Sequence, residues 1–508
     1  MIQKEARALL PAWTACALAI LASRWQADPF SYLGVPAYLI GSAGVGAWGM
    51  GHEYADGTVT PLLTLPVPRG RIWAVKLATA APMLAALAVL AWLVVPLDLG
   101  DLKLGAAMFV LPPIVALFVT PWLTMLTRSP LAGAVFTFAA LGGSLALSEW
   151  IGVWLYGFTN AVDAFRVAFM WWALGGLSAA GAVLGWQTFA TLEVREGHDA
   201  DVQLPTALQP VALRPIALRP IALGRTTAAA PVTRHDRLGR MAQMIVKELR
   251  IQQLSTVVAA LWALAYVITE VSGVRPMKAP TESSIDVLGV LTAFYSLVLP
   301  IVIGSLACAE ERHFGTLDGQ LLLPMRSSTQ WIVKSATALG LAILLAQILP
   351  LVVTGVFGDR LLVRAYRNSN MAASLLMVLG VTSISLYVST VAKSGIRALM
   401  GSIAATVAFG FVITKLLNQG LGGRVFLIAQ AARRAQAHDG LIMMGGAHLR
   451  HLFATYAPFA LVMLMVALAL PNFRYESRRP AIIAMHAAIM IAGVIAYDVA
   501  INVMMALK

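Results

Sequence analysis

The sequence predicts an all-α polytopic membrane protein with about 12–13 transmembrane helices, most of them in two six-helix halves. Three observations lead there. The chain is 59% hydrophobic and 12% charged, with a mean hydropathy of +0.78, a balance that cannot cover an aqueous surface and excludes an ordinary soluble enzyme. Apolar windows of about 17–25 residues, long enough to cross roughly 30 Å of hydrocarbon as helices, follow one another along nearly all of its 508 residues. One loop is written twice. Glu53–Lys76 reads EYADGTVTPLLTLPVPRGRIWAVK and Glu310–Lys334 reads EERHFGTLDGQLLLPMRSSTQWIVK, with Glu53 to Lys76 and Glu311 to Lys334 the same 23 residues apart.

In the first half the apolar windows fall near Pro11–Ser23, Leu33–Gly51, Ile72–Pro96, Leu104–Thr127, Leu131–Leu147 and Val167–Leu192. The second half offers Leu254–Ile268, Val287–Ala309, Trp331–Phe357, Met371–Val391, Ala398–Lys415 and His451–Leu470, followed by an unmatched span at Ala481–Met505. The halves also start alike: Met1-Ile2-Gln3-Lys4-Glu5-Ala6-Arg7 matches Met244-Ile245-Val246-Lys247-Glu248-Leu249-Arg250. A repeat this long points to two fused membrane domains facing the same way, not to a solenoid. The expected division is 1–192 for the first domain, 193–240 for a linker, 241–475 for the second domain and 476–508 for the extra helix.

Lys and Arg set the orientation, because they are retained on the cytoplasmic side. With the N-terminus inside, about 23 of the 37 Lys and Arg fall in cytoplasmic segments and about 14 outside, many of the latter in Arg360–Arg367 and Arg424–Arg450. A multi-pass protein of the cell membrane follows, with the bacterial inner membrane favoured. The net charge of +13 is scattered among short loops without an aromatic-lined basic groove, so it implies membrane lipids as partners and no nucleic acid. Cys16 and Cys308 form neither CxxC nor a disulfide framework. Prolines at 205, 210, 215 and 220 forbid a regular helix and mark a cytoplasmic spacer.

Each copy of the doubled loop follows the second helix of its half and leads into the third. Gly-Thr supplies a helix start, a Leu-rich patch follows, and Leu-Pro ends it before Trp and Lys at the membrane interface. Lys4, Glu5 and Arg7, like Lys247, Glu248 and Arg250, open interfacial amphipathic helices. At these residues the chain resembles the permease (membrane) subunits of ABC-2 type transporters, with their type V exporter-like pairs of six-helix domains. The loop of that family carries Glu, Gly-Thr, Leu-x-x-Leu-Pro, a basic cluster and Lys. Glu53, Gly57, Thr58, Leu65, Pro66, Arg69, Arg71, Ile72 and Lys76 fit in the first copy. Glu310 or Glu311, Gly315, Thr316, Leu323, Pro324 and Lys334 fit in the second, which has Ser327 and Thr329 in place of Arg69 and Arg71.

The resemblance implies that both loops are coupling helices, 53–76 and 310–334, seated in cytoplasmic ABC ATPase subunits, two copies in all. Glu53 and Glu311 would anchor the loops, Pro66 and Pro324 would set the bend, and Arg69 and Arg71 would meet acidic partner residues. It also implies export by alternating access and an external re-entrant region at Ser148–Arg166 and Asn418–Arg450.

No G-x-x-x-x-G-K-[ST] occurs, so the chain is no ATPase: ATP and Mg are expected on partner subunits, and no cofactor or metal on this chain. His52-Glu53 lacks the second His of HExxH, and no catalytic residue is assigned. His486 and Asp498, 12 positions apart in the unmatched helix, share a face and suit an inter-helix contact better than a proton path. Two other classes stay open. A secondary transporter with parallel repeats requires a coupling-ion gradient and buried carboxylates, and a membrane-embedded lipid-modifying enzyme requires a polar cluster at one depth.

Overall fold

A computed structural model describes residues 2–24, 33–55, 58–64, 66–95, 105–156, 161–192, 234–271, 287–313, 325–356, 371–419, 459–473 and 480–506. Among these the secondary structure is helical, without strands. The first half contains α1 (Ile2–Ser23), α2 (Gly34–Ala55), the short α3 (Val59–Leu63), α4 (Arg69–Val94), α5 (Ala107–Thr127), α6 (Pro130–Tyr156) and α7 (Ala161–Ala190). There follow α8 (Arg234–Ile251), α9 (Gln253–Val271), α10 (Val287–His313), α11 (Ser327–Val356), α12 (Met371–Val391), α13 (Gly395–Gln419), α14 (Phe459–Phe473) and α15 (Pro480–Ala506).

Nine of these helices are long and apolar enough to cross a membrane: α1, α4, α5, α6, α7, α9, α10, α11 and α12. The remaining positions of the expected order are taken by α2 and by the shorter apolar stretches Gly395–Phe411, Phe459–Phe473 and Ala481–Tyr497. The protein is therefore an all-α, multi-pass membrane chain.

Local chemistry sets several boundaries. Arg128 adopts the left-handed conformation, φ 51°, and closes α5. Ser129 then caps α6, its hydroxyl taking the Ala132 N–H at 3.3 Å, and Pro130 occupies the first helical position, where its missing N–H costs nothing. In α11, residues Ile343–Ile348 form a π-helical turn, and the Leu345 carbonyl there accepts the Tyr295 hydroxyl at 2.7 Å.

Packing repeats between the halves at places the sequence comparison did not mark. Gly46 lets α2 approach α5 so closely that a Cβ would lie 2.1 Å from the Ala116 carbonyl oxygen. Gly304, at the corresponding position of α10, approaches α12 so that a Cβ would lie 2.4 Å from Ser385 Cβ. Small residues at such crossings let membrane helices touch backbone to backbone. Trp73 and Phe189 join α4 to α7 through tilted rings with centroids 5.4 Å apart, and Trp331 and Phe473 do the same for α11 and α14 at 5.3 Å.

The halves meet along α1, α2 and α6 on one side and α9, α10 and α13 on the other. Cys16, Ile20 and Tyr38 share one continuous core with Ile396, Leu399, Met400 and Ile403. Arg397 of α13 lies over the Trp48 ring of α2 at 4.5 Å, a cation–π contact across the two halves.

Several boundaries differ from the sequence expectation. Lys4, Glu5 and Arg7 are not in a separate interfacial helix, because α1 runs unbroken from Ile2 into the apolar segment. The second half does separate its amphipathic start, α8, from α9 by a turn at Gln252, whose side chain donates to the Ile303 carbonyl at 2.9 Å. α8 begins at Arg234, inside the stretch read as linker; 193–233 lie outside the described residues. Ser148–Arg166 is no re-entrant loop where described, since α6 continues to Tyr156 and α7 starts at Ala161. Of Asn418–Arg450, all beyond 419 lies outside the described residues.

Candidate functional site

The roots of the two doubled loops carry the densest buried charge among the described residues. α2 and α10 each place an acid, Glu53 or Glu311, in their last turn. Seven residues into α4 and α11, about two helical turns, stand Lys76 and Lys334. The first helix of each half supplies the third member, Glu5 or Glu248. All six side chains are buried.

In the first cluster Lys76 Nζ donates to Glu5 Oε1 at 3.0 Å and Oε2 at 3.2 Å, to the Gly49 carbonyl at 3.1 Å and to Glu53 Oε1 at 3.4 Å. In the second, Lys334 Nζ donates to Glu248 Oε1 at 2.8 Å and Oε2 at 2.9 Å, to the Ala307 carbonyl at 2.7 Å and to Glu311 Oε2 at 2.8 Å. Gly49 and Ala307 hold corresponding positions, each 27 residues before its lysine. An ammonium withdrawn from water needs this many acceptors, because a buried charge is tolerable only when paired and hydrogen-bonded. Burial pushes the Glu248 carboxyl above the ordinary carboxylate value, and the Lys334 ammonium works against that shift.

The loop residues complete the first site. The Thr58 hydroxyl donates to Glu53 Oε2, and the Thr58 N–H donates to the Glu53 carbonyl at 2.8 Å. The buried acid is thus tied to Thr58 at the start of α3, the short helix expected after Gly-Thr, where Leu62 packs with Met50, Ile72 and Trp73. Pro66 lies exposed in the bend before α4. The Arg69 guanidinium donates to the Ala190 carbonyl at the end of α7, so it ties α4 to α7, whereas Arg71 is exposed. Gly57, and in the second copy Gly315, Thr316 and Pro324, lie outside the described residues.

Of the two adjacent acids in the second copy, Glu311 meets Lys334. The Glu310 carboxyl lies against Gly395 at the start of α13, where a Cβ would be 2.9 Å from its Oε1. The position of Glu310 corresponds to His52 in the first copy. His52 Nδ1 is 2.9 Å from the Trp48 carbonyl, and Nε2 is 3.1 Å from Glu53 Oε1 and 3.5 Å from Glu5 Oε2. Each ring nitrogen therefore faces an acceptor oxygen.

Glu5, His52 and Glu53 bring metal-ligand atoms within 4.8 Å of one another. The Lys76 ammonium already supplies the countercharge there, so a cation would have to displace it.

The amphipathic starts divide by residue. Lys4, Arg7 and Arg250 are exposed and Lys247 is half-exposed, but Glu5 and Glu248 face inward, contrary to an interfacial role. Lys4 reaches Glu53 at 3.7 Å and Lys247 reaches Glu311 at 2.6 Å. His486 is buried and lies 2.9 Å from the Tyr387 hydroxyl, an inter-helix contact between α15 and α12. The Asp498 side chain lies outside the described residues.

Sequence reasoning assigned His52 no role. The signal was its place beside Glu53 at the end of an apolar helix, where a polar side chain needs a partner. Compared with protein-family models, with curated proteins and with solved structures, the chain matches none.

Proposed function

We propose that the chain is the permease subunit of an ABC-2 type transporter, with both halves of the pathway in one polypeptide and export driven by separate ATPase subunits. One observation carries the reading: each loop of the family's coupling type is rooted in a buried Glu–Glu–Lys cluster that ties the opening helix of its half to the two helices flanking the loop, α1, α2 and α4 in the first half and α8, α10 and α11 in the second. Force applied to such a loop moves three helices together, because none can shift without uncovering a charge. Alternating access by rocking of the halves needs that rigidity at the point where energy enters. The ATPases would dock on the loops at 53–76 and 310–334. Arg71, exposed at the first turn of α4, is the residue offered to an acidic partner surface.

The test is purification of the tagged chain from its native membrane in mild detergent, with mass spectrometry of bound proteins. A P-loop ATPase should co-purify with the wild type, and Arg71→Glu should reduce its recovery severalfold while leaving the yield of the chain unchanged. A preparation that contains no ATPase even after crosslinking would favour a gradient-driven transporter.

A further inference from the structure

The two sides of the contact between the halves are not equivalent. Where α1 and α2 meet α13, a continuous core fills the space. Where α6 meets α9 and α10, a cavity of about 350 Å³ remains. Its wall is built from small residues of α6, Gly142, Gly143 and Ala146, facing the aromatic groups of Trp262, Phe294 and Tyr295. Trp262 and Tyr295 stack with ring centroids 4.6 Å apart and form a flat panel. Among the described residues no charged side chain lines it.

At the rim, Leu147, Leu261, Leu264 and Ile268 are 49%, 41%, 56% and 46% exposed. In a helix that crosses a membrane such apolar surface faces lipid, so the cavity opens sideways toward hydrocarbon. It reaches from Val135 to Trp150 along α6, 15 residues or about 22 Å at 1.5 Å per residue. One leaflet provides about 15 Å of hydrocarbon.

A second observation marks one end. Trp150 lines the cavity, and its indole Nε1 is buried without an acceptor among the described residues. The next residue toward the N-terminus, Glu149, pairs with Arg166 at 2.6 Å, and Arg166 with Asp163 at 3.0 Å. Those charges place Trp150 at the level where hydrocarbon gives way to the polar interface, the depth favoured by tryptophan. A buried N–H without an acceptor is costly, and a ligand carbonyl at that depth would remove the cost.

We infer that this cavity binds one acyl chain of a bilayer phospholipid, with the ester carbonyl accepting the Trp150 indole N–H and the chain lying against Gly142, Gly143 and the Trp262–Tyr295 panel. The assignment stands independently of the ATPase reading, since it concerns binding and not transport.

The experiment uses the full chain in nanodiscs containing phosphatidylcholine with a photoreactive diazirine on one acyl chain, followed by mapping of labelled residues. Labelling within α6, α9 and α10 should exceed that of the lipid-exposed face of α7 around Trp172, which is 83% exposed. A Cβ at Gly143 meets nothing within 4 Å, so Gly143→Leu should fill the cavity and lower labelling there at least tenfold, with α7 unchanged. Trp150→Phe, which keeps an aromatic ring and deletes the donor, should lower it about fivefold. Labelling at the cavity no stronger than on α7, or unaffected by Gly143→Leu, overturns the proposal. So does preferential labelling by a free diazirine fatty acid over the phospholipid. If Gly143→Leu does not purify as a monodisperse protein, the wild-type ratio of cavity to α7 labelling decides.

Discussion

The two ion clusters share three members and differ in the fourth. Around Lys334 the contacts to both acids are 2.9 Å or shorter, and Lys247 closes on Glu311 at 2.6 Å. Around Lys76 the contact to Glu53 stretches to 3.4 Å and Lys4 stands off at 3.7 Å, while His52 fits between the two acids. In one half the two buried carboxylates are met by two amines; in the other they are met by Lys76, by the His52 ring and, at greater distance, by Lys4. The acid pair and the central lysine therefore form the common frame, and the group placed beside them differs between the halves.

The largest effect should come from deleting the central amine of the tighter cluster. Lys334→Met strands two buried acids and should cost about 3–5 kcal/mol in denaturant or thermal unfolding. Lys76→Met should cost about 1 kcal/mol less, because the His52 ring remains between Glu5 and Glu53. Equal losses, or a greater loss at Lys76, would break the comparison.

Replacing the whole second triad, Glu248→Leu with Glu311→Leu and Lys334→Leu, should leave stability within about 2 kcal/mol of the wild type, since buried ion groups are often replaceable by apolar packing. If the cluster transmits force, the same variant loses partner-dependent transport although it folds, and the equivalent change in the first half behaves alike. Retained transport in a folded triple variant would confine the cluster to a structural role.

The smallest effects test the fourth member. Lys247→Ala should cost about 1 kcal/mol, and Lys4→Ala, whose side chain is 64% exposed, within about 0.5 kcal/mol. Double-mutant cycles with Glu311→Gln and Glu53→Gln would separate these pair energies from local packing.

Most of the helix order was legible because membrane spans announce themselves by length and apolarity. Glu53, Lys76, Glu311 and Lys334 were legible as a recurring interval. Their convergence with Glu5 and Glu248 was not, because a Lys-Glu-x-Arg start reads equally well as a helix lying on the membrane surface. Only the packing of α1 against α4, and of α8 against α11, turns those acids inward. Arg69 was read together with its basic neighbour Arg71 as facing a partner; the carbonyl of Ala190, 121 residues away, has no trace in a local motif. The cavity was hidden for a similar reason, since nothing around Gly142 and Gly143 says which helix faces them. Trp73 with Phe189 and Trp331 with Phe473 escaped notice because the intervals between partners differ between the halves.

The separation in sequence of the clustered charges also bears on biosynthesis. Glu5 is 71 residues from Lys76, and Glu248 is 86 from Lys334. At about 5–20 residues per second, Glu5 emerges about 4–14 s before its lysine. Until then the carboxylate lacks the ammonium that meets it in the folded cluster and stays hydrated, so α1 is held near the water boundary until α4 is delivered. Each half thus locks only when the long helix after its doubled loop arrives, α4 or α11, and a ribosome stalled before Lys76 leaves a nascent chain whose first helix is still unsettled.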